Sequence, residues 1–206
     1  ARPQELTAAA LALFVEKGFA ATKLDEVAAR AGVSKGTLYL YFDSKEALFK
    51  AVIQEGIVPA IEEGEALLDQ PSDDPVQLLQ CILFGWWERI GNTELGGIPK
   101  LMLSEARNFP EVAAYYHDTV IHRGLALIRT ALARGVARGV FRPVDVDATA
   151  DVLIAPLLHL ALWRHSFGAC CVRGGSVETY LSTYFDLILN GLRAAPGRAG
   201  VSRCEP

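Results

Sequence analysis

The 206-residue sequence lacks the features that mark several common classes of protein. It has four cysteines but no Cys-x-x-Cys pair, which excludes most zinc and dithiol-redox sites. Its most apolar stretch, residues 152–163, is too short to span a bilayer, so it predicts a buried core helix and no membrane partner. The N-terminus shows no charged segment leading into a long apolar run, so no signal peptide is predicted.

A large charge of one sign is also absent. The 20 basic and 24 acidic residues give a net charge of -4, so any contact with nucleic acid must come from a local patch. The motifs of common enzymes are missing too: there is no His-Glu-x-x-His sequence, no phosphate-cradling glycine loop and no Gly-x-Ser-x-Gly turn. The sequence therefore predicts no catalytic residue, no metal site and no cofactor, and an enzyme is the disfavoured alternative.

Two of the cysteines, Cys170 and Cys171, are adjacent in the sequence. The ring that a bond between them would close is strained, so we expect reduced cytosolic thiols rather than a disulfide. A thiol sensor stays open as an alternative, because Arg164, His165 and Arg173 could lower a thiol pKa.

Apolar residues recur at helical spacing along nearly the whole chain, and no run alternates with period two for long enough to make a strand. Proline and glycine clusters separate the helical segments. Beyond four helices in the N-terminal part, the pattern predicts helices over residues 75–91, 98–107, 111–139, 147–165 and 176–193. The predicted fold class is all-α, with roughly nine helices.

Residues 22–42 predict two short helices joined by a tight turn. Gly32 permits the turn and Val33 can be buried beneath it, which is the geometry of a helix-turn-helix motif. The second helix is too short to be stable alone, so Leu38 must pack against the preceding helices. Its outward face then carries the candidate base and backbone contacts to DNA, which are Lys35, Gly36, Thr37 and Tyr39.

Further DNA contacts are predicted at the ends of these helices. Thr22 and Lys45 lie at predicted helix N-termini, where free N–H groups and the helix dipole attract phosphate, and Thr22 is also interpreted as a helix cap. Ser34 is predicted to cap the second helix and is also a candidate DNA contact. The candidate phosphate contacts are Thr22, Lys23, Tyr41 and Lys45.

The run from Thr22 to Leu48, with Gly32-Val33-Ser34-Lys35-Gly36-Thr37-Leu38-Tyr39 at its centre, closely resembles the DNA-binding domain of TetR-family transcriptional regulators. The preceding residues 8–18 resemble the first helix of that family. The resemblance implies a DNA-binding domain at residues 1–50, with its helix-turn-helix motif at about 21–40. It further implies a helical ligand-binding and dimerisation domain at 51–195 and a flexible tail at 196–206.

The second domain carries aromatic and polar residues on otherwise apolar helices. Each of them could be ordinary core packing, and the alternative hypothesis is an apolar ligand cavity. The candidate lining residues are Phe84, Trp87, Met102, Glu105, Tyr116, His159 and Trp163. Gly56 and Pro59 also predict a bend between Glu55 and Pro59, in the helix that connects the two domains.

Dimerisation is expected, because two DNA-binding domains (here called reading heads) spaced about one helical turn (~34–36 Å) can bind the two halves of a palindrome. The family resemblance places the interface on the last two long helices. The candidate interface residues are Leu153, Leu157, Leu160, Tyr180, Tyr184 and Leu187, and an intramolecular core is the alternative for some of them.

The sequence thus favours a ligand-responsive transcriptional regulator, located in the bacterial cytoplasm and associated with the nucleoid. The favoured hypothesis is a homodimeric repressor that leaves a palindromic operator in double-stranded DNA when it binds a small hydrophobic or aromatic effector. An activator of the same fold and a helical adaptor that acts through protein contacts are the alternatives.

Overall fold

The computed structural model describes residues 3–70, 74–171 and 174–194, and the predicted tail at 196–206 lies outside them. These residues form eleven α-helices with no strand beyond a single antiparallel bridge between Phe141 and Arg193, which confirms the all-α prediction. The helices are α1 (Pro3–Lys17), α2 (Leu24–Arg30), α3 (Lys35–Tyr41), α4 (Lys45–Gly56), α5 (Val58–Asp69), α6 (Pro75–Trp86), α7 (Gly97–Glu105), α8 (Pro110–Tyr116), α9 (His122–Ala137), α10 (Val146–Arg164) and α11 (Val177–Leu192).

The first four helices pack around an aromatic cluster. The Phe14 ring stacks on the Phe19 ring with centroids 5.3 Å apart, and Phe49 of α4 meets both rings edge-on. Leu38 of the short α3 is fully buried, as the sequence predicts. Because α3 has only seven residues, this tertiary packing rather than its own hydrogen bonds holds it in place.

The connection between the domains breaks where the bend was predicted. Helix α4 ends at Gly56 and α5 begins at Val58, with Ile57 between them. Pro59 lies in the first turn of α5, where its missing N–H has no intrahelical partner to lose. The chain therefore starts a new helix at this point instead of continuing the old one.

Two of the predicted long helices contain π-helical turns. The segment from α6 continues through a π-turn at Trp87–Gly91, and a second π-turn at His117–Ile121 joins α8 to α9. Helices α6 and α5 both pack on α9. The α5 contact is close because position 64 is glycine: a Cβ there would lie 2.6 Å from Cδ1 of Leu127.

Helix α10 is apolar around its circumference but is buried along one face only. It is the one helix among residues 3–70, 74–171 and 174–194 with the length and composition to cross a membrane. Of its most apolar 18-residue stretch, 28% is buried inside the protein. Core and interface helices share that composition. Tyr184 of α11 donates a hydrogen bond to the Leu153 carbonyl of α10 (2.6 Å), which fixes the two helices against each other.

Candidate DNA interface and ligand cavity

Helix α3 presents a polar and aromatic surface opposite its buried residue. The Ser34 hydroxyl accepts a hydrogen bond from the Thr37 N–H (3.1 Å), which confirms the predicted cap. Tyr39 and Tyr41 are each about half exposed, and Gly36 is exposed between Lys35 and Thr37. This arrangement leaves one side of α3 free for a DNA groove.

Lys35 is exposed but not unpaired in the free protein. Its ammonium lies 2.9 Å from a carboxylate oxygen of Asp25 on α2 and 5.8 Å from the centroid of the Tyr39 ring. The hydrogen bond with Asp25 raises the pKa of Lys35, so the side chain stays charged. DNA phosphates or bases would have to compete with Asp25 for this ammonium.

Sequence reasoning missed Leu40, whose side chain is 82% exposed on α3. Successive residues of an α-helix are rotated by about 100°, so Leu40 faces roughly the opposite way from the buried Leu38. An exposed leucine on a recognition helix can contact a thymine methyl group. The helical rotation relative to Leu38 was the signal that could have found it.

Two predicted phosphate contacts have their side chains engaged inside the protein. Thr22 is buried, and its hydroxyl lies 2.8 Å from the Gly18 carbonyl and 3.2 Å from that of Leu13. Its prediction as a helix cap is wrong, because α2 is capped at Lys23, whose N–H donates to the Glu26 carboxylate (3.2 Å).

The other engaged side chain is Lys45. Its ammonium donates to the carbonyls of Phe19 (2.6 Å) and Ala20 (3.2 Å) and lies 4.7 Å from the centroid of the Phe19 ring. It therefore closes the loop between α1 and α2 in the free protein. By contrast, Lys23 and Tyr41 are exposed.

The second domain encloses a cavity of about 720 Å³ between α5, α6, α7, α8, α9 and α10. Met102, Tyr116 and His159 line it, in agreement with three of the predicted positions. Its volume lies within the range of about 300–1,000 Å³ that is typical of small-molecule sites.

Four of the predicted lining residues lie elsewhere, so those predictions are wrong for this cavity. Trp86 rather than Trp87 lines it, while Phe84 and Trp87 border a shallower groove between α6 and α11. Trp163 of α10 does not line the cavity, and its ring centroid lies 5.0 Å from that of Phe167. A helical pattern does not fix which of two adjacent tryptophans points inward, least of all where a π-turn begins.

The fourth, Glu105, lies at the boundary between the domains. Its carboxylate accepts hydrogen bonds from the Ala20 N–H (3.3 Å) and the Asn108 amide (3.2 Å). Beside it, the Phe109 ring meets the Phe19 ring edge-on with centroids 4.7 Å apart. The segment containing α7 and α8 thus contacts the DNA-binding domain on one side and lines the cavity on the other.

The predicted dimer residues divide into two groups. Leu153, Leu157, Leu160 and Tyr184 are buried within the protomer, so their side chains are not available to a partner. Tyr180 is half-buried and donates to the Pro156 carbonyl (2.8 Å). Leu187 is 66% exposed on α11, as is Val152 on α10.

The adjacent thiols Cys170 and Cys171 are exposed, with their sulfur atoms 3.2 Å apart. The hydrogen bond between the two sulfur atoms raises the pKa of Cys171, so the nearby basic residues do not make this thiol acidic. Arg173, which was expected to contribute, lies outside the described residues.

Comparison with known proteins identifies both domains. The family model described as "Bacterial regulatory proteins, tetR family" matches residues 6–52, and the one described as "Tetracyclin repressor-like, C-terminal domain" matches residues 83–167. The chain belongs to the TetR family of transcriptional regulators. TetR-family proteins are DNA-binding regulators and generally not enzymes, and the helix-turn-helix of this member is the α2–α3 unit.

Relatives of this TetR-family chain differ in how much of it they match. The HTH-type transcriptional repressor KstR2 of Mycolicibacterium smegmatis is 26% identical over 198 residues, which are 95% of this chain and 93% of KstR2. The HTH-type transcriptional activator FasR of the same organism is 46% identical over 81 residues. Three relatives that match the N-terminal region are covered over only 16%, 33% and 37% of their own length.

A solved structure shows the same overall fold. The TetR-family regulator PfmR from Thermus thermophilus superposes with a TM-score of 0.71 at 28% identity, and the match covers 92% of this chain and 99% of PfmR. Both domains of this TetR-family member are therefore found together in a known regulator.

Proposed function

We propose that this protein is a homodimeric repressor that binds a palindromic operator and is released from it by a small apolar effector. The observation that carries the proposal is the segment of α7 and α8, which lines the cavity and also touches the DNA-binding domain through Glu105 and Phe109. A ligand that favours one position of this segment would favour one position of the reading head.

The surface of α3 supports DNA binding as the output. Lys35, Thr37, Tyr39 and Leu40 give it cationic, polar and apolar groups within one short helix. That set fits a major groove better than a protein partner, which argues against the adaptor alternative. Binding to an operator in the nucleoid would require the protein to work in the bacterial cytoplasm, and we propose that location.

Helices α10 and α11 support dimerisation. Only Leu181, Tyr184 and Leu192 are buried among the sixteen residues of α11, although the helix is largely apolar. The exposed Leu187 and Val152 leave apolar surface that a second copy would cover. We therefore place the interface on these exposed residues rather than on the buried leucines of α10.

Repression and activation use the same fold. KstR2, which matches along nearly its full length, is a repressor, whereas FasR, which matches over 37% of its length, is an activator. The full-length match favours repression, which needs only occlusion of a promoter. Transcription from the cognate promoter in vitro, with and without the protein, distinguishes the two.

The test of DNA binding is fluorescence anisotropy with duplexes from around the protein's own gene, in a salt series and with nonspecific competitor. We expect competitor-resistant binding whose affinity falls steeply with salt. Leu40→Glu should abolish operator binding while the protein remains a dimer. Leu187→Glu should instead give a monomer by analytical ultracentrifugation and weaken operator binding through loss of the second head. Equal, weak binding to every duplex would contradict the proposal.

A further inference from the structure

The cavity contains one buried polar group that the protein itself does not satisfy. Tyr116 is 7% exposed and lines the cavity, and its hydroxyl has no hydrogen-bond partner among the residues that the structure describes. The hydroxyl is not among the fully enclosed polar atoms without a partner, so it is open to the cavity, and a group that arrives with a ligand can hydrogen-bond to it there. Burial raises the pKa of Tyr116, which keeps the phenol neutral and able to donate.

The remaining buried wall is apolar. The other buried lining residues are aliphatic, methionine, proline or glycine, for example Ile61, Leu83, Met102, Leu127 and Ile128. No buried carboxylate or cation occurs among the lining residues that are described. A charged ligand group placed beside Tyr116 would lose its hydration without gaining an opposite charge, which is strongly unfavourable.

The charges at the mouth of the cavity do not favour an anionic head group either. Arg89 is paired with Glu63, and the His117 ring lies 2.9 Å from the carboxylate of Asp118. Asp151, also at the mouth, has no ion-pair partner in the described part of the chain. Arg89 and His117 are therefore matched by acids, Asp151 adds a further acid, and the exposed imidazole of His159 is the remaining basic group at the mouth.

We infer that the effector is an uncharged, predominantly apolar molecule with one hydroxyl or carbonyl oxygen that hydrogen-bonds to Tyr116. This inference rests on the proposed function, since it names the ligand class of the same regulatory cavity. It separates this chain from regulators that recognise carboxylates or phosphate-bearing thioesters, because the buried lining residues that are described offer no basic group to an anion beside Tyr116.

The test uses dodecanol, dodecanoate and dodecylammonium, which share one alkyl chain and differ in the head group. Isothermal titration calorimetry on the purified dimer, below the solubility limit of dodecanol and the critical micelle concentrations of the two ions, should show dodecanol binding at least about tenfold more tightly than either ion. Tighter binding of dodecanoate or dodecylammonium would overturn the inference, as would no binding of dodecanol. This comparison needs no variant.

Tyr116→Phe tests the anchor itself. Loss of the phenolic hydroxyl should raise the Kd of dodecanol about threefold to tenfold, the value of one net hydrogen bond. Tyr115→Phe is the matched control, because the adjacent phenol lies outside the cavity and contacts Gln54 (2.6 Å). Equal dodecanol binding by wild-type protein and Tyr116→Phe would also overturn the inference.

The two proposals fail separately. If operator binding is specific but dodecanol does not bind, the inferred ligand class is wrong and the proposed operator-binding function stands. If the alcohol binds with the expected Tyr116 dependence but no duplex is bound specifically, the proposed operator function is wrong and the ligand class stands.

Discussion

At the scale of single residues, we expect the Lys35–Asp25 pair to limit how strongly α3 binds DNA. The carboxylate occupies the ammonium in the free protein, and both side chains are exposed. DNA therefore gains the contact to Lys35 only after that ammonium is released from Asp25. We therefore expect the acid on α2 to weaken binding to all sequences and to keep nonspecific binding low.

We expect Lys35→Ala to weaken operator binding about tenfold and, if the ammonium contacts phosphate, to lower the salt slope by about one. Asp25→Asn, the matched substitution, frees the ammonium and should strengthen binding to operator and nonspecific duplexes alike. Both are measured by anisotropy in a salt series. A loss of affinity in Asp25→Asn would show that the acid positions α2 or α3 rather than competing with DNA.

His165 gives the folded protein a dependence on pH. Burial lowers its pKa in the folded chain, with Arg164 and Lys100 contributing, while the unfolded chain binds the proton at about pH 6.5. As the pH falls through that value, the unfolded state takes up more protons, so the free energy of unfolding decreases. The contribution of neutral His165 to the free energy of unfolding is fully present above about pH 6.5 and is lost as the pH falls below that value.

We expect urea-unfolding curves to show a lower free energy of unfolding at about pH 5.5 than at about pH 7.5. His165→Gln should reduce this difference, whereas His122→Gln, at an exposed position of α9, should leave it unchanged. A wild-type pH dependence that survives in His165→Gln would assign it to another group.

At the scale of elements, glycine in α9 has opposite roles at two positions. A Cβ at Gly135 would lie 2.0 Å from the buried Phe141 ring, whereas a Cβ at Gly124 would meet nothing within 4 Å. Gly135→Ala should therefore destabilise the protein by about 1–3 kcal/mol through overpacking. Gly124→Ala should stabilise it by about 0.4–1 kcal/mol, because alanine is the better helix former. Urea denaturation of both variants checks the difference, and equal effects would contradict it.

The helices themselves were largely predictable from the sequence, because helical periodicity, caps and prolines are local signals. The break at Ile57 followed from Gly56 and Pro59, and the cap at Ser34 from its place before a short helix. The π-turns were not predicted, because helical periodicity does not distinguish a single π-turn from the α-helix around it. Thr22 was misassigned because a threonine before a helix can equally bond to the preceding helix.

At the scale of the whole molecule, Phe109 connects the cavity segment to the reading head. Phe109→Ala removes the ring contact with Phe19 and should reduce the factor by which an inducer weakens operator binding. The inducer is one identified by an operator-release screen, and the measurement is operator affinity with and without it. Phe167→Ala, an exposed ring after α10, is the control and should retain the full factor. An unchanged factor in Phe109→Ala would place the coupling elsewhere.

The residues that line the cavity could be predicted from the sequence only in part. Met102, Tyr116 and His159 were predicted because they interrupt apolar helices, but Glu105 fits the same description and lies at the domain boundary. Which face of a helix meets a cavity depends on five neighbouring helices, and a single sequence does not contain that arrangement. For the same reason Leu153 and Leu157 were predicted at a dimer surface, although both side chains are buried inside one protomer.

The break at Ile57 makes α4 an arm with a fixed length. Its 12 residues span about 18 Å at 1.5 Å per residue, so a rotation of about 10° at Ile57 would move its Lys45 end by about 3 Å. In a symmetric dimer the two displacements add, so the separation of the heads would change by up to about 6 Å. Adjacent major grooves on one face of DNA lie about 34 Å apart, and a mismatch of that size prevents both heads from seating together. A small change at the hinge is thereby converted into a large change in operator occupancy.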